Sequence, residues 1–164
     1  MQLIHKWLGA AATSLLFIFV PIRAQAPSHQ PIPTVTFRYE KPAHDSGSAD
    51  WALVVHVEIA PGWHINSDAP LDEFLVPTRV EAKADGWEIG KPRYPHSERV
   101  HSDALGGDML LFSGAFDVEL RVHRKTVPRS AGGAQDLPRT RVTLKYQACD
   151  QATCFPPKEV SVEH

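Results

Sequence analysis

Short runs in which apolar and polar residues alternate recur along this chain, and that period of two limits its possible folds more than any other feature. Trp51, Leu53, Val55, Val57 and Ile59 alternate with Ala52, Val54, His56 and Glu58. Phe116, Val118, Leu120 and Val122 alternate with Asp117, Glu119, Arg121 and His123. Shorter runs of the same kind hold Val35, Phe37 and Tyr39, then Val142, Leu144 and Tyr146, then Val160 and Val162. An extended strand sends successive side chains to opposite faces, so each run lays one face on a core and the other in water. Turn chemistry separates them: Asp45-Ser46-Gly47, Pro61-Gly62, Asp85-Gly86, Gly106-Gly107-Asp108, and Ser130 to Gln135 with its Gly132-Gly133. Leu71 to Leu75 could form one helical turn, stopped by Pro77, but no sustained helical stripe follows the N-terminal segment. The alternation predicts an all-β, immunoglobulin-like β-sandwich. The Cys…Trp…Cys spacing of antibody domains is missing.

The N-terminal segment has a different character. Lys6 precedes an apolar run from Leu8 to Val20, which Pro21 ends and small residues at Ala24 and Ala26 follow. A membrane span needs roughly 20 apolar residues, so this shorter run reads as a secretory signal peptide. Cleavage is expected after Ala24, since a cut after Ala26 would leave Pro27 at the new terminus; an uncleaved anchor is the alternative. The expected organisation is a signal peptide over 1–24, a proline-rich arm over 25–33 and one β-sandwich domain over 34–164, delivered to the periplasm. The mature chain is mildly acidic and has no basic run, so nothing points to nucleic acid.

Cys149 and Cys154 are the only cysteines, in YQACDQATCFPPKEV at the end of a strand pattern. Exported thiols this close in sequence can pair. A disulfide closing so short a loop contributes only about 2 kcal/mol in the chain-entropy model, against nearer 5 for a loop of ~100 residues. A domain of this size has little need of such a staple, so reactivity is the competing reason for the pair; spacing alone leaves both open. Lys145 and Lys158 would favour a thiolate if they turned toward the sulfurs, whereas Asp150 would disfavour one at Cys149. That balance makes Cys154 the more reactive sulfur. Phe155-Pro156-Pro157 keeps the next segment extended, delays the last strand to about Lys158, and sets the sulfurs at the mouth of a hairpin.

YQACDQATCFPP resembles the cysteine motif of the N-terminal periplasmic domain of DsbD, the thiol:disulfide interchange protein, through Tyr146, Cys149, Cys154, Phe155, Pro156 and Pro157. GWHINSDAPLDEFLVPTRVEA, from Gly62 to Ala82, is similar to an early region of that family, and the likeness runs roughly from Val35 to Val162. The resemblance implies an immunoglobulin-like sandwich and a thiol–disulfide oxidoreductase that reduces periplasmic thioredoxin-fold partners. Cys149 and Cys154 would be the redox pair, with Cys154 forming the mixed disulfide and Cys149 resolving it. Tyr146 and Phe155 would touch the partner or cap the pair. The family also covers its cysteines with a loop bearing an aromatic. The matching region, Tyr94 to Met109, has no Phe or Tyr at its tip, so Val100, His101 and Leu105 are the cap candidates. No membrane conduit or thioredoxin-like part accompanies the motif here, so the resemblance implies a membrane electron donor supplied by another chain.

Two other readings stand beside this one. The chain could be a non-catalytic immunoglobulin-like binding module with a structural disulfide, or a periplasmic protein holding Cu(I) on Cys149 and Cys154, since soft thiolates suit that ion. No cofactor is called for, and no metal site is assigned: His96 and His101, near Glu98 and Asp103, match no zinc spacing. His56 and His123 fall on the polar sides of strands, and His64 is read as packing beside Trp63 in a turn. Trp51, Trp63 and Trp87 are read as core or rim, Asp72-Glu73 as loop, and Gly106-Gly107 as a turn or hinge.

Overall fold

Strand β2 (Asp50–Glu58) pairs on one side with β1 (Thr34–Glu40) and on the other with β8 (Ala115–Arg124), and its register aligns the alternations read above. Val57 faces Val35, Val55 lies between Phe37 and Val118, and Leu53 lies between Tyr39 and Leu120. A period-two residue thus meets a period-two residue at each step, and Leu53, Val55, Val57, Val118 and Val122 are wholly buried. β5 (Trp87–Arg93) completes this first sheet along β8, with the register shifting between Ile89 and Pro92. Proline cannot donate to a ladder, which suits Pro92 to the sheet edge beside a bulge. The computed structural model describes residues 31–40, 50–125 and 138–164. The expected signal peptide, most of the arm and the turns at 45–47 and 130–135 lie outside the described residues.

Two smaller sheets pack against the first. One has the order β11 (Lys158–Glu163), β9 (Thr140–Tyr146), β4 (Arg79–Ala84). The other runs β10 (Ala148–Cys149), β3 (His64–Asn66), β7 (Gly107–Ser113), β6 (Glu98–Ser102). Val80, Val142, Leu144 and Tyr146 from the former, with Ile65, Phe112 and Ala148 from the latter, join the inward residues of the first sheet in one core. At roughly 1.5–3 kcal/mol for each fully buried aliphatic or aromatic side chain, this core dominates the stabilisation. The expected all-β, immunoglobulin-like sandwich is the architecture observed.

Two local expectations need correction. Leu71 to Leu75 makes no helix: the Asp72 carbonyl accepts from Leu75 N and the Asp72 carboxylate from Phe74 N, giving a turn capped by its own side chain. The segment from Tyr94 to Met109, matched above to a cap loop, forms strand β6, the 3-10 turn Asp103–Leu105 and the start of β7. Gly106 ends that turn at φ 94°, a left-handed conformation that glycine adopts without a Cβ clash.

Candidate functional site

The cysteine hairpin begins where β9 leaves its sheet. After Tyr146 the chain steps sideways, and Ala148 and Cys149 pair with Ile65 and His64 of β3. The half-buried Gln147 amide holds the step. Gln147 Oε1 accepts from Asn66 Nδ2 at 2.9 Å and from Val76 N at 3.0 Å, and Asn66 Nδ2 also donates to the Val76 carbonyl at 3.0 Å. Thr78 Oγ1 donates to the Asn66 carbonyl at 2.5 Å, tying the 67–78 connection to the same point. Beyond Cys149 the chain reverses. Asp150 Oδ1 accepts from the amides of Ala152 and Thr153, each at 2.8 Å, while Asp150 N donates to the Thr153 carbonyl at 3.0 Å. Phe155 N then donates to the Ala148 carbonyl at 2.9 Å. An aspartate whose side chain accepts amides two and three residues on builds such a turn by itself.

The reversal brings Cys154 opposite Cys149 in an isolated antiparallel bridge, with Cα atoms 4.0 Å apart and the sulfurs bonded. The two are unequally placed. Cys149 is fully buried on the edge strand of a sheet, deeper than the hairpin mouth expected for it, because β10 pairs with β3. Cys154 is half-buried.

Pairing in register decides what surrounds the sulfurs. Cys149 faces His64, and His64 faces Ser113, so the three side chains lie on one face of the sheet. Leu111 and Met109 follow on that face at steps of two, paired with Glu98 and Val100. Met109, Leu111 and Cys149 form a small apolar cluster apart from the main core, and Leu75, Leu105 and Cys154 pack against it. Beside them opens a groove of about 430 Å³, lined by Trp63, His64, Val100, Leu105 and Gln151 among others.

The cap candidates part company here. Leu105, carried by the 3-10 turn, reaches the cysteine cluster. Val100 lines the groove and stays exposed. His101 also lines the groove and holds Asp108 through Nδ1 at 2.7 Å and Asp103 through Nε2 at 3.2 Å, bracing the turn. The hydrogen bonds to Asp108 and Asp103 raise the His101 pKa, and the one from His101 lowers that of Asp108. Phe155 packs on Trp63 with ring centroids 5.2 Å apart, forming one wall near the hairpin. Tyr146 lies in the main core, almost wholly buried, where burial pushes its hydroxyl pKa up.

Lys145, read as a possible thiolate partner, donates to Glu81 at 2.9 Å on the solvent face of β9. His56 pairs with Asp117 at 2.7 Å on the first sheet. Among the described residues, no group of three or more His, Cys, Asp or Glu side chains is arranged to hold a metal ion.

Sequence reading missed His64. It is a strand residue, not a turn residue, and its ring borders the groove on the cysteine face. Its Nε2 is buried and makes no hydrogen bond among the described residues. Burial lowers its pKa, opposed by the Asp150 charge.

Residues 31–164 match the family model described as thiol:disulfide interchange protein DsbD, N-terminal. Among solved structures, the chain is similar to the N-terminal periplasmic domain of ScsB from Proteus mirabilis, at 13% identity and a TM-score of 0.50. That likeness covers 85% of this chain and 48% of the other, so this chain spans about half the length of the ScsB chain. The DsbD N-terminal domain of Neisseria meningitidis in its reduced form is similar at 16% identity and a TM-score of 0.45, over 71% of this chain and 78% of that one. A search of curated proteins found no match. At these identities the structural likeness bears on the fold alone. No helix among the described residues is long and apolar enough to cross a membrane.

Proposed function

This chain belongs to the family of the DsbD N-terminal domain, and we propose that it passes reducing equivalents to thioredoxin-fold proteins in the periplasm through Cys149 and Cys154. One observation carries the assignment of roles: the bonded pair is asymmetric, with Cys154 half-buried and Cys149 wholly buried. Thiol–disulfide exchange proceeds by in-line attack on an accessible sulfur through a mixed disulfide. An incoming thiolate can approach Cys154 and not Cys149. In the reducing direction, Cys154 attacks the partner's disulfide and Cys149 resolves the mixed disulfide from behind. Leu105 lies over the cluster that holds both sulfurs, which supports its assignment as the cap in place of an aromatic residue. Phe155 on Trp63 offers an apolar wall beside the sulfurs for the partner. Electrons would come from a membrane donor, and the segment over 1–24 would direct export.

The test is a trapping experiment. Reduced Cys149→Ser is expected to accumulate a mixed disulfide with an oxidised thioredoxin-fold protein, and Cys154→Ser to accumulate none. The Cys149–Cys154 potential, measured against glutathione or dithiothreitol, is expected between roughly −270 and −120 mV. A potential below about −300 mV with nothing trapped would refute exchange and leave a structural disulfide.

A further inference from the structure

We infer that His64 is the proton acceptor and donor for Cys149: its Nε2 takes the buried thiol's proton when Cys149 resolves the mixed disulfide and returns it to the departing sulfur. The inference rests on the exchange reading above and adds a residue to it.

Its ground is geometric. His64 and Cys149 are register partners on β3 and β10, with side chains on the same face. Paired residues on adjacent antiparallel strands have Cβ atoms about 4.5–5.5 Å apart, within reach of an imidazole and a thiol. Cys149 is fully buried, so its thiol has no water to ionise into. Taking charge out of water raises a thiol's pKa, so resolution needs a base inside the fold. Lys145 is committed to Glu81, and the Asp150 carboxylate accepts the Ala152 and Thr153 amides. The buried Nε2, free of hydrogen bonds to the described residues, is an open acceptor at the register position facing Cys149. The ring also borders the groove that Met109 and Leu111 of the cysteine cluster line.

Burial lowers the imidazole pKa below its ordinary value and so favours the neutral form, which can accept a proton. Among the described residues, the titratable and charged groups around it are Cys149 on β10, Asp150 after it, His101 of β6 in the same groove, and Glu98, which accepts a hydrogen bond from Ser113 of β7 at 3.1 Å. Asp150 would steady the imidazolium while it exists.

The step balances. Cys154, as a thiolate after losing its proton to solvent, attacks one sulfur of the partner's disulfide. The partner's other sulfur leaves as a thiolate and is protonated by solvent. Cys149 then gives its proton to His64 Nε2, and its sulfur attacks Cys154 Sγ. The intermolecular bond breaks, and the partner's second thiolate takes the proton from the imidazolium. Two electrons and two protons have reached the partner, and His64 is neutral again.

The test is ring closure in the glutathione mixed disulfide at Cys154, which requires no thioredoxin-fold partner. Wild type is expected to close at a nearly constant rate from pH 7 to 8, because proton transfer within the neutral pair does not change the total proton count. His64→Gln is expected to close about tenfold to a hundredfold more slowly at pH 7, with a rate rising about tenfold per pH unit, since only ionised thiol then reacts. Parallel, rising profiles for both proteins would overturn the inference. A second measurement does not depend on the variant's folding. The His64 Nε2 nitrogen-15 signal in the reduced protein is expected to move on Cys149→Ala, and an unmoved signal would overturn it too. A flat wild-type profile with no exchange toward any thioredoxin-fold protein would instead overturn the proposed function alone.

Discussion

Replacing Asp150 by alanine is expected to make the Cys149–Cys154 disulfide easier to reduce. The carboxylate sits between the two cysteines, and one of its oxygens accepts two amide hydrogen bonds of 2.8 Å. Hydrogen bonds to a charged group contribute about 1.5–3 kcal/mol each in favourable settings. These two share an oxygen on an exposed turn, so about 2 kcal/mol for the pair is a fair upper figure. In the wild-type dithiol the turn keeps the thiols opposed, so closing the ring orders little chain. Without it the dithiol opens, and ring closure must order the turn again. Two backbone bonds remain, Asp150 N to the Thr153 carbonyl and Phe155 N to the Ala148 carbonyl, and they retain part of the order. With 30 mV equivalent to about 1.4 kcal/mol for this two-electron couple, the potential should rise by about 20–40 mV.

The assay is equilibration with graded glutathione or dithiothreitol, followed by alkylation of free thiols. Asp150→Asn separates geometry from charge. Asparagine keeps an oxygen that can accept the same amides, so its potential should stay near wild type. A potential for Asp150→Ala that is unchanged within about 10 mV, or that moves to more negative values, would refute the argument that the turn preorganises the pair. Equal rises in both variants would place the effect in the charge.

Other perturbations test neighbouring parts of the site. Leu105→Ala should lose about 1 kcal/mol of apolar contact over the cysteine cluster, giving a roughly fivefold faster reduction by dithiothreitol; an unchanged rate would mean that Leu105 does not gate access. The His101 brace has a pH window. His101 is raised above 6.5, so its contribution is complete below that pH and lost as pH climbs through the raised value; Asp108 is lowered from 3.8, so its contribution is complete above that pH and lost as pH falls through the lowered value. Proton NMR should show a His101 midpoint above 6.5 that drops in Asp108→Asn, and an unmoved midpoint would count against the brace. Gln147→Ala strips a partner from Asn66 Nδ2 and from Val76 N, and urea unfolding should show a loss of about 2 kcal/mol; a loss under about 0.5 would mean that the amide is not needed there. Replacing both cysteines by alanine should lower stability by no more than about 2 kcal/mol by the same assay, while abolishing exchange.

Alternation made five strands legible, β1, β2, β8, β9 and β11, because each lays one face on the core and the other in water. The rest give weaker signals for separate reasons. β3 is three residues long, too short to show a period. β4 turns Val80, Ala82 and Ala84 inward, and alanine carries little hydropathy contrast. β5 is interrupted by Gly90 and Pro92 at its bulge. β6 is almost wholly exposed, while β7 buries Met109 and Leu111 on one face and Phe112 on the other. Neither alternates, so their hairpin read as a loop. The site divides in the same way. Cys149, Cys154 and Phe155 were legible because they are neighbours in sequence. The Asp150 turn was also within reach, since Asp-Gln-Ala-Thr places amides where an aspartate can accept them. His64 was not, because only the register of β3 against β10 makes it a neighbour of Cys149.

That register bears on the choice between staple and redox group. A staple is most useful where it joins parts of a fold that nothing else joins. Here the 149–154 turn already holds four hydrogen bonds of its own, and β10 is fixed to β3 by its ladder and by Gln147. The disulfide adds a short loop closure to a segment that is already ordered, and the main core lies elsewhere, among residues that do not include the cysteines. The same arrangement serves exchange well. Reduction can open the bond without loosening the sandwich, because the hydrogen bonds that hold the two sulfurs opposed do not depend on it. A pair that must open and close repeatedly needs this independence, and a pair that only braces the fold gains little from it.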